Sequence, residues 1–436
     1  MSKGSFVLVT GAAGTIGRPL VARLAQTPSI DQVVALTHHD PLGPSGRLVR
    51  VVAGDITKDG NLGLAPADAE MMSSSVTTIV HGAANTRFDA SLQEAQAANV
   101  TGTRHVLEFA RRCPRLNRIV ALSTTHVAGR RTGTIFEDDL EHEAGFVNTY
   151  EATKYEAERD LRKAMLDLPI AVARISTVTG DSCSGAIGKK GAIHQAVRLM
   201  YASLAPIVPG RDDSPVDFIA LDHAVRAIAL LATEGFEAGA TWHLSAGADT
   251  VPFGELLDLT LRTFMENRPS WRKRAIERPA LVDLPTFELF CQSVDQVGDS
   301  TLRASTAVIA RFAPQLVFPK SFDDRRCCEA LARAGVTKPD SRVIWTRMVR
   351  HLIQPDSSGL ETRILEFVRT SLLGRAGPID ADTYLFDEGL IDSLKILQLI
   401  AFIETEVGRT IPDTDVVMDN FRNVRTMAAR FGAPVS

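Results

Sequence analysis

A glycine-rich turn near the start of the chain constrains the fold more than any other feature of the sequence. The segment is Thr10-Gly11-Ala12-Ala13-Gly14-Thr15-Ile16-Gly17, with an apolar run at 6–9 before it and a helical pattern at 18–24 after it. Glycines let the backbone approach a pyrophosphate, and a helix N-terminus presents free N–H groups and the positive end of its dipole. An ordinary tight turn would also accept this glycine spacing. The position between a strand and a helix favours dinucleotide binding.

Length and charge narrow the class of protein. A chain of 436 residues is long enough for two or three domains, and its net charge of −4 implies no strong attraction to nucleic acid or to membranes. The acidic surplus lies at 360–436, which holds 12 acidic and 8 basic residues, whereas the rest of the chain holds 40 of each. We therefore expect a separate acidic module in the C-terminal part.

Cysteine usage and hydropathy bear on metal sites and location. Five cysteines without C-x-x-C spacing indicate neither a disulfide framework nor a zinc site. No apolar run approaches the length of a membrane span, and the sequence opens without a signal-peptide pattern. These features predict a cytoplasmic protein without a metal site or a membrane span.

Strands alternate with helical stretches in the first half of the chain, which predicts an α/β fold with a doubly wound parallel sheet. The second strand, 32–37, ends at His38, where a cation would hold the extra phosphate of NADP. Together with Arg18, just past the glycine loop, His38 favours NADP, although a solvated loop explains this histidine equally well. The third strand, 49–52, ends near Asp55, which is placed either to bond an adenine amino group or to cap a turn.

Tyr150 and Lys154 lie four residues apart in a helical pattern, so the phenol and the ammonium share one helix face. Composition alone would produce such a pair in about one chain in five. The position of the pair favours a functional role, because the pair follows the glycine loop and a fifth strand, 118–122, that ends in Ser123-Thr124-Thr125.

Taken together, these motifs resemble the extended short-chain dehydrogenase/reductase family, and within it the thioester reductase and fatty acyl-CoA reductase (male sterility-like) branch. The resemblance covers residues 5–250, and Leu62-Gly63-Leu64 favours the thioester-reducing branch over sugar epimerases. The other matching segments are Gly11-Gly14-Gly17, Gly54-Asp55-Ile56, His81-Gly82-Ala83-Ala84, Asn99-Val100-Thr101-Gly102-Thr103, Ser123-Thr124, Tyr150 with Lys154, 174–180 and 218–225.

The resemblance implies a catalytic group of Thr124, Tyr150 and Lys154, with Ser123 or Thr125 as alternatives to Thr124. Tyr150 would protonate the oxygen of the carbonyl that receives the hydride, and Lys154 would lower the pKa of the tyrosine and hold the nicotinamide ribose. Reductases of this branch often place arginine at the position of His38, so NADPH is expected and NADH stays open. The residues expected to contact the cofactor are Thr10, Gly11, Ala13, Gly14, Thr15, Ile16, Gly17, Arg18, His38, Asp55, Ile56, Ala83, Ala84, Asn99 and Lys154.

The middle region, 251–353, has a helical pattern with an apolar stripe around Leu256 and Leu257. We expect a helical substrate or lid subdomain that shapes an acyl pocket. Cys327-Cys328 are best interpreted as small buried hydrophobic residues. The predicted organisation is a reductase domain at 1–250, this subdomain at 251–353, a linker at 354–359 and a carrier domain at 360–436.

The string Gly389-Leu390-Ile391-Asp392-Ser393-Leu394 opens a helix in the acidic module. Taken alone, Asp392-Ser393 is a helix N-cap. The full string, in a helical module of 77 residues, resembles acyl and peptidyl carrier proteins, whose serine bears a phosphopantetheine arm. The resemblance implies an all-α four-helix carrier domain with 4'-phosphopantetheine on Ser393, at a helix N-terminus that suits a phosphodiester.

Both resemblances together predict a reductase that acts on an acyl or aminoacyl thioester held on the arm and releases an aldehyde, or further an alcohol, in a biosynthetic pathway. One alternative is a reductase that modifies the carrier-bound chain without cleaving the thioester. Another is a non-catalytic carrier scaffold that docks partner enzymes. The expected partners are a phosphopantetheinyl transferase and adenylating, loading or downstream enzymes. In assembly lines of this family the carrier generally precedes the reductase, so here the arm serves either this domain or a partner.

Overall fold

The computed structural model describes residues 4–38, 48–267, 278–298, 300–353, 357–373, 379–386, 389–391 and 393–432. The chain divides into two compact units. The sheet unit comprises Met1–Thr263 and Ile276–Leu352, and the C-terminal unit comprises Phe264–Ala275 and Ile353–Ser436.

Seven parallel strands form the central sheet of the described residues. They are β1 (Phe6–Thr10), β2 (Gln32–Thr37), β3 (Val49–Ala53), β4 (Thr78–His81), β5 (Arg118–Thr124), β6 (Ile170–Ile175) and β7 (Thr241–Leu244). Their order across the sheet is β7-β6-β5-β4-β1-β2-β3. The direction of winding reverses between β1 and β4, where α/β sheets of this kind open a ligand crevice beyond the strand ends. The predicted Rossmann-type doubly wound sheet is confirmed.

The strands are apolar on both faces because both faces of the sheet are covered. Along β1, Val7 and Val9 point into one hydrophobic core and Leu8 points into the other. The same alternation continues on the neighbouring strand, where Val33 lies on the side of Val9 and Val34 on the side of Leu8. Two cores therefore fix the sheet, and only the strand ends are left to build a site.

Helices cover the sheet and extend beyond its carboxyl edge. The described α-helices before residue 354 are Gly17–Ala25, Asp59–Leu62, Pro66–Ser75, Leu92–Ala95, Gly102–Arg111, Thr149–Ala164, Ala192–Tyr201, Leu221–Leu231, Phe253–Asn267, Leu284–Val297, Ser300–Phe312, Arg325–Arg333 and Ser341–Ile353. Gln96–Thr101 forms a π-helical turn, and 3₁₀ turns lie at Thr125–Ala128, Gly247–Asp249 and Ala313–Val317. The predicted helical character of 251–353 is therefore confirmed.

Short strand pairs tie the peripheral loops together. Parallel pairs join Gly133–Ile135 to Lys320–Phe322, Thr177–Val178 to Phe218–Ile219, and Ile207–Pro209 to Ala280–Val282. An antiparallel pair joins Pro215–Val216 to Val251–Pro252. The pairs bring segments that are far apart in sequence to the carboxyl edge of the sheet.

The described residues of the C-terminal unit beyond 357 form helices joined by turns and loops. Its α-helices are Ser357–Phe367, Ser393–Val407, Met418–Phe421 and Val424–Gly432, with a π-helical turn at Val368–Leu372 and a 3₁₀ turn at Asp413–Asp415. Their apolar sides meet in a core that includes Leu360, Ile364, Leu399, Ile403 and Phe421. The first helix begins at Ser357, inside the segment predicted as a linker. None of the helices that the structure describes is long and apolar enough to cross a membrane.

Candidate functional site

The glycine loop packs too closely against its neighbours to accept side chains at two positions. Gly11 has a φ of +70°, and a Cβ on it would lie 2.6 Å from the backbone carbon of Gly82. A Cβ on Gly17 would lie 2.1 Å from the carbonyl oxygen of Gly11. The helix that follows, Gly17–Ala25, has no side-chain cap and no acidic residue in its first turn. Its N-terminus therefore suits an anion.

The loop also fits the cofactor that the sequence predicts. A Cβ on Gly14 would meet only the carbonyl oxygen of Gly11, at 3.1 Å, and Gly14 lies in the wall of a large cavity. A side chain at this position would fill space that a pyrophosphate needs. The sheet unit thus has the backbone cradle that a dinucleotide requires.

A buried hydrogen-bond network joins the end of β1 to the end of β4 beneath the glycine loop. The Thr10 hydroxyl and His81 Nδ1 are 2.8 Å apart, and the same hydroxyl accepts hydrogen bonds from the N–H groups of Gly82 and Ala83, each at 3.2 Å. His81 Nε2 lies 3.1 Å from the Thr103 hydroxyl, and burial, with the charge of Lys154 adding to it, lowers the pKa of His81 to about 3. The neutral imidazole therefore fixes the two strand ends. The Thr10 hydroxyl is therefore bonded to protein groups, although Thr10 also lines the cavity.

A single cavity of about 1600 Å³ extends along the carboxyl edge of the sheet. It begins at the glycine loop, passes the ends of the strands and continues between the peripheral helices. Of the residues predicted to contact the cofactor, its wall includes Thr10, Gly11, Ala13, Gly14, Thr15, Ile16, Gly17, Arg18, His38, Asp55, Ile56, Ala83, Ala84 and Lys154. The fold thus gathers nearly all of the predicted set around one space.

Asn99 is the exception. Its Oδ1 accepts the N–H of Asn85 at 2.7 Å, and its Nδ2 donates to the Asn85 carbonyl and to the Thr153 hydroxyl, both at 3.0 Å. The residue is 1% exposed and lies in the π-helical turn, behind the cavity wall. Asn99 therefore holds the loop after β4 against the helix that contains Thr153.

The end of the cavity beside β2 and β3, where the sequence predicts the adenosine of the cofactor, contains both basic and acidic side chains. His38 Nε2 lies 3.4 Å from Asp55 Oδ2, and Asp55 Oδ1 accepts hydrogen bonds from the N–H and the hydroxyl of Thr57. Burial raises the pKa of Asp55, but the Thr57 hydrogen bonds and the His38 charge outweigh it and leave the pKa below its ordinary value. Arg18 Nε donates to the Ala13 carbonyl at 3.0 Å. The expected phosphate contacts thus share this end with an acid.

The helix Thr149–Ala164 presents Tyr150 to the end of β5. Asn148 begins this helix, because its Oδ1 accepts the Glu151 N–H at 3.0 Å. The phenol of Tyr150 is hydrogen-bonded to the Thr124 side chain, and burial raises its pKa to about 12. Phe88 packs against the Tyr150 ring, with the centroids 5.6 Å apart. The strand end and the helix together therefore hold the phenol in the cavity wall.

Lys154 lies one turn farther along the same helix. Its Nζ donates to the Leu122 carbonyl at 2.9 Å, and the residue is 5% exposed. Burial lowers the pKa of Lys154 to about 8, and the carboxylate of Glu158 acts in the opposite direction. Thr124, Tyr150 and Lys154 therefore lie together, as the sequence predicts. Of the alternatives to Thr124, Ser123 is bonded elsewhere.

Ser123 belongs to a buried network that sequence reasoning missed. Its hydroxyl donates to Glu158 at 2.6 Å, and Arg174 donates to the same carboxylate at 2.7 and 2.9 Å. The guanidinium lies 3.2 Å from His243 Nε2, and the side chains of Glu158 and Arg174 are 0% and 1% exposed. Burial raises the pKa of Glu158, but Arg174 and Ser123 outweigh it and hold the pKa below its ordinary value.

The spacing of residues along the helix indicates part of this network. Glu158 follows Tyr150 by eight residues and Lys154 by four, so the three side chains form one stripe on the helix. Because Arg174 lies on β6, its pairing with Glu158 is a long-range contact that a local pattern does not specify.

The wall formed by the peripheral helices is largely apolar. Its apolar side chains are Val197, Met200, Leu256, Leu257, Val308, Ile309, Phe312 and Trp345, and the same helices also contribute Gln195, Thr260 and Arg311. These residues come from the region that the sequence predicts to shape an acyl pocket and from the helix Ala192–Tyr201. The cavity therefore joins a nucleotide cradle, a tyrosine–lysine pair and an apolar compartment.

In the C-terminal unit, the helix Ser393–Val407 begins at the predicted modification site. Asp392 and the side chain of Ser393 lie outside the described residues. No group of three or more His, Cys, Asp or Glu side chains that would hold a metal ion occurs in the part of the chain that the structure describes.

The doubly wound sheet and the glycine loop are those of a dinucleotide-binding domain, and Thr124, Tyr150 and Lys154 line the same cavity. Comparison with protein families agrees with this class. Residues 40–228 match the family described as male sterility protein, an NAD-binding domain, and residues 364–431 match the phosphopantetheine attachment site family. The chain therefore combines a male sterility-type NAD-binding domain with a phosphopantetheine carrier domain.

Relatives come from two kinds of protein. The hybrid PKS-NRPS synthetase poxE of Penicillium oxalicum is 30% identical over 191 residues, which is 42% of this chain and 4% of that protein. The fatty acyl-CoA reductase wat of Drosophila melanogaster is 25% identical over 220 residues, 39% of this chain and 42% of that protein. The chain thus spans a small part of the synthetase and less than half of the reductase.

Solved structures share the fold. The terminal R domain from the myxalamid PKS-NRPS biosynthetic pathway aligns with a TM-score of 0.65 at 22% identity, covering 81% of this chain and 92% of that one. A thiolation-reductase di-domain from an archaeal non-ribosomal peptide synthetase aligns with a TM-score of 0.60 at 18% identity, covering 80% and 75%. At these identities the likeness concerns the fold.

Proposed function

We propose that this protein is an NADPH-dependent reductase that cleaves an acyl or aminoacyl thioester, held on a phosphopantetheine arm at Ser393, and releases an aldehyde. The observation that carries the proposal is the single cavity in which the glycine cradle, Tyr150 with Lys154, and an apolar compartment adjoin one another. The family match of residues 364–431 supplies the reason for a tethered thioester. The relatives named above, a PKS-NRPS synthetase and a fatty acyl-CoA reductase, agree with thioester chemistry.

The bound nicotinamide would supply the hydride, and the residues of this chain would supply the proton and the orientation. Tyr150 gives its phenolic proton to the carbonyl oxygen as the carbonyl carbon gains hydride. Thr124, already hydrogen-bonded to the phenol, donates to the same oxygen and stabilises the developing charge. The resulting hemithioacetal then collapses: its hydroxyl proton returns to the Tyr150 oxygen as the carbonyl re-forms, the carbon–sulfur bond breaks, and the sulfur takes a proton from solvent, which leaves an aldehyde and a thiol on the arm. Lys154 holds the ribose and favours the ionised phenol by its charge.

The raised pKa of Tyr150 supports a role for a cation beside it. A phenol with a pKa of about 12 is a weak acid at neutral pH, because its burial disfavours the phenolate. A protonated ammonium one helical turn away offsets part of that cost. The pKa of Lys154, about 8, keeps most of the ammonium charged at neutral pH.

The choice of NADPH rests on Arg18 and His38, which both border the adenosine end of the cavity. A guanidinium and an imidazole match the extra phosphate of NADP, and Arg binds phosphate in a bidentate manner. Asp55, 3.4 Å from His38, would instead meet ribose hydroxyls, so comparison of KM for NADPH and NADH tests this part of the proposal.

The experiment that tests the proposal loads the full chain with phosphopantetheine and an acyl group and then adds NADPH. The expected products are NADP, an aldehyde and a free arm thiol in equal amounts. A reduced acyl chain still bound to the arm would replace the proposal with reduction that leaves the thioester intact. Absence of cofactor oxidation across several acyl groups would favour a carrier scaffold.

The attachment site has its own test. Ser393→Ala should abolish loading of the arm, as seen in the intact mass of the protein. Ser371→Ala is the matched control, because Ser371 is an exposed serine of the same C-terminal unit. The control variant should load as the wild-type protein does. Full loading of Ser393→Ala would show that the arm is attached elsewhere.

A further inference from the structure

Lys320 is a half-buried cation in the cavity wall, close to the reacting end. It begins the short strand Lys320–Phe322, which pairs with Gly133–Ile135 and so places the lysine beside the turn after β5. Its Nζ donates to the Gly129 carbonyl and lies 5.9 Å from the centroid of the Phe318 ring. The proposed hydride transfer does not use this ammonium group.

The path from Tyr150 to Lys320 is short. Phe88 contacts the Tyr150 ring at 5.6 Å and the His126 ring at 6.1 Å between centroids. Burial lowers the pKa of His126 to about 4, and the charge of Lys320 adds to this effect. Lys320 donates to the carbonyl of Gly129, whose N–H donates to the His126 carbonyl at 3.0 Å, so the ammonium lies beside the turn that carries this neutral imidazole.

Four of the other cations of the cavity wall already have partners or roles, and Lys189, in the same wall, is exposed. Arg87 and Arg311 both pair with Asp89, at 3.1 and 3.2 Å. Arg18 lies beside the glycine loop, and Lys154 lies beneath Tyr150. Among the described residues of this wall, Lys320 is therefore a half-buried lysine whose ammonium donates to a backbone carbonyl and to no carboxylate.

The acid nearest to this cation is occupied. The Glu151 carboxylate lowers the cost of charging Lys320, but it accepts the Val147 N–H and the Gln315 amide, both at 2.9 Å. Among the described residues, Lys320 makes no direct ion pair with it. Burial lowers the pKa of Lys320 to about 8, which leaves an ammonium group at neutral pH with hydrogen-bonding capacity to spare. A buried charge of this kind is stabilised by an anionic partner.

We infer that Lys320 binds a carboxylate on the acyl group, so that the preferred substrate is a thioester whose acyl chain bears an acidic substituent. The inference rests on the proposed function and names its substrate class. The phosphate of the phosphopantetheine arm is the other anionic group of a carrier-bound substrate. That phosphate is separated from the thioester by the whole pantetheine chain, whereas Lys320 is bonded to Gly129, at the end of the turn that carries His126, and the His126 ring packs on Phe88 beside Tyr150.

Two neutral-arm probes test the inference on the full chain before its own arm is attached. They are adipoyl-pantetheine and its methyl ester, which differ in the charge at the end of the acyl group. Because a hydrogen bond to a charged group contributes about 1.5–3 kcal/mol, we expect kcat/KM for the acid to exceed that for the ester by about tenfold to a hundredfold. Lys320→Met should remove this preference and leave the ester unchanged, and Lys320→Arg should retain part of it.

Lys163→Met is the matched control, since this lysine is on the Tyr150 helix with a side chain that is 72% exposed. It should keep the preference of the wild type. Equal rates for acid and ester in the wild-type protein, or an equal loss of both in Lys320→Met, would overturn the inference. Thermal unfolding of each variant checks that a loss reflects binding rather than folding.

Binding separates failure of this inference from failure of the proposed function. If neither probe drives NADPH oxidation, calorimetric titration of both probes into the NADPH-bound chain still measures the acid preference. A preference that disappears in Lys320→Met would support the carboxylate site while the reductase proposal fails. Equal affinities for acid and ester would overturn the carboxylate site.

Discussion

The two ends of the substrate path are built in opposite ways. Around Tyr150, polar side chains from strands and one helix form two sets of hydrogen bonds: the phenol bonds to Thr124, and Ser123 and Arg174 both bond to Glu158. At the far end, the wall is formed by apolar side chains of peripheral helices, such as Leu257 and Ile309. The first arrangement fixes positions and charges, whereas the second excludes water and tolerates changes of shape. Chemistry and substrate choice should therefore respond to different substitutions.

Tyr150→Phe should have the largest effect at the catalytic end. Loss of the proton donor should lower kcat for hydride transfer by about a hundredfold to ten-thousandfold, the usual range for a positioned acid. Loading of the arm should be unchanged in the intact mass. Tyr155→Phe is the control, because that phenol donates to Glu141 at 2.8 Å on the outer side of the same helix. Full activity of Tyr150→Phe would show that the catalytic assignment is wrong.

Glu158→Gln should change the pH dependence of the reaction. In the wild-type protein, the rate should be level at low pH and fall as the pH rises through about 8, where Lys154 loses its proton. Removal of the Glu158 carboxylate lowers the pKa of Lys154, so the fall should move to lower pH. The variant also leaves Arg174 buried without its partner, at a cost of about 3–5 kcal/mol in the free energy of unfolding.

The control for that shift is Glu156→Gln, which removes the same charge from an exposed carboxylate paired with Arg104 at 3.2 Å. Its pH profile should match that of the wild-type protein. If Glu158→Gln unfolds, Glu158→Gln combined with Arg174→Met removes both buried charges and should still move the fall to lower pH. A folded Glu158 variant with an unchanged profile would restrict the network to a structural role.

Leu257→Ala should act on the apolar end. The residue is 3% exposed and borders the cavity, so the substitution should cost about 2–5 kcal/mol in the free energy of unfolding and favour longer acyl chains. The pH profile should not move. Leu231→Ala is the matched control, because Leu231 is 2% exposed in the core beside the sheet. It should destabilise the protein to a similar degree without altering acyl preference, as denaturant titration and a chain-length series would show.

Arg18→Met should have the smallest effect and should concern the cofactor alone. Loss of a charged contact to phosphate should raise KM for NADPH by about tenfold and leave KM for NADH nearly unchanged. Arg23→Met, at the exposed end of the same helix, should change neither value. An equal change for both cofactors would argue against a contact between Arg18 and the extra phosphate.

Local patterns predicted the parts of the site that depend on local structure. The glycine loop, the strand ends and the Tyr150–Lys154 spacing can each be recognised in a stretch of a few residues. The fold brings these stretches together around one cavity. Asn99 was expected beside the cofactor, but its amide is engaged by Asn85 and Thr153 behind the wall. The direction of the Asn99 side chain depends on a π-helical turn, and no periodic pattern in the sequence predicts such a turn.

The sequence did not predict the contacts between side chains that are far apart along the chain. Arg174 meets Glu158 only because β6 lies beside β5, and Lys320 reaches the cavity only because its short strand pairs with residues 133–135. Neither contact follows from spacing along the chain. For the same reason, the acyl compartment was predicted as a helical region with an apolar stripe around Leu256 and Leu257, but the side chains that meet them across the cavity were not predicted.

The central claim is that the tethered thioester is cleaved by reduction. The direct measurement incubates the acyl-loaded holo-protein with NADPH and follows cofactor absorbance, the arm by intact mass, and the released product by chromatography. We predict one aldehyde and one free arm thiol for each NADPH oxidised. Oxidation of NADPH with the acyl chain still on the arm, or no oxidation at all, would contradict the claim.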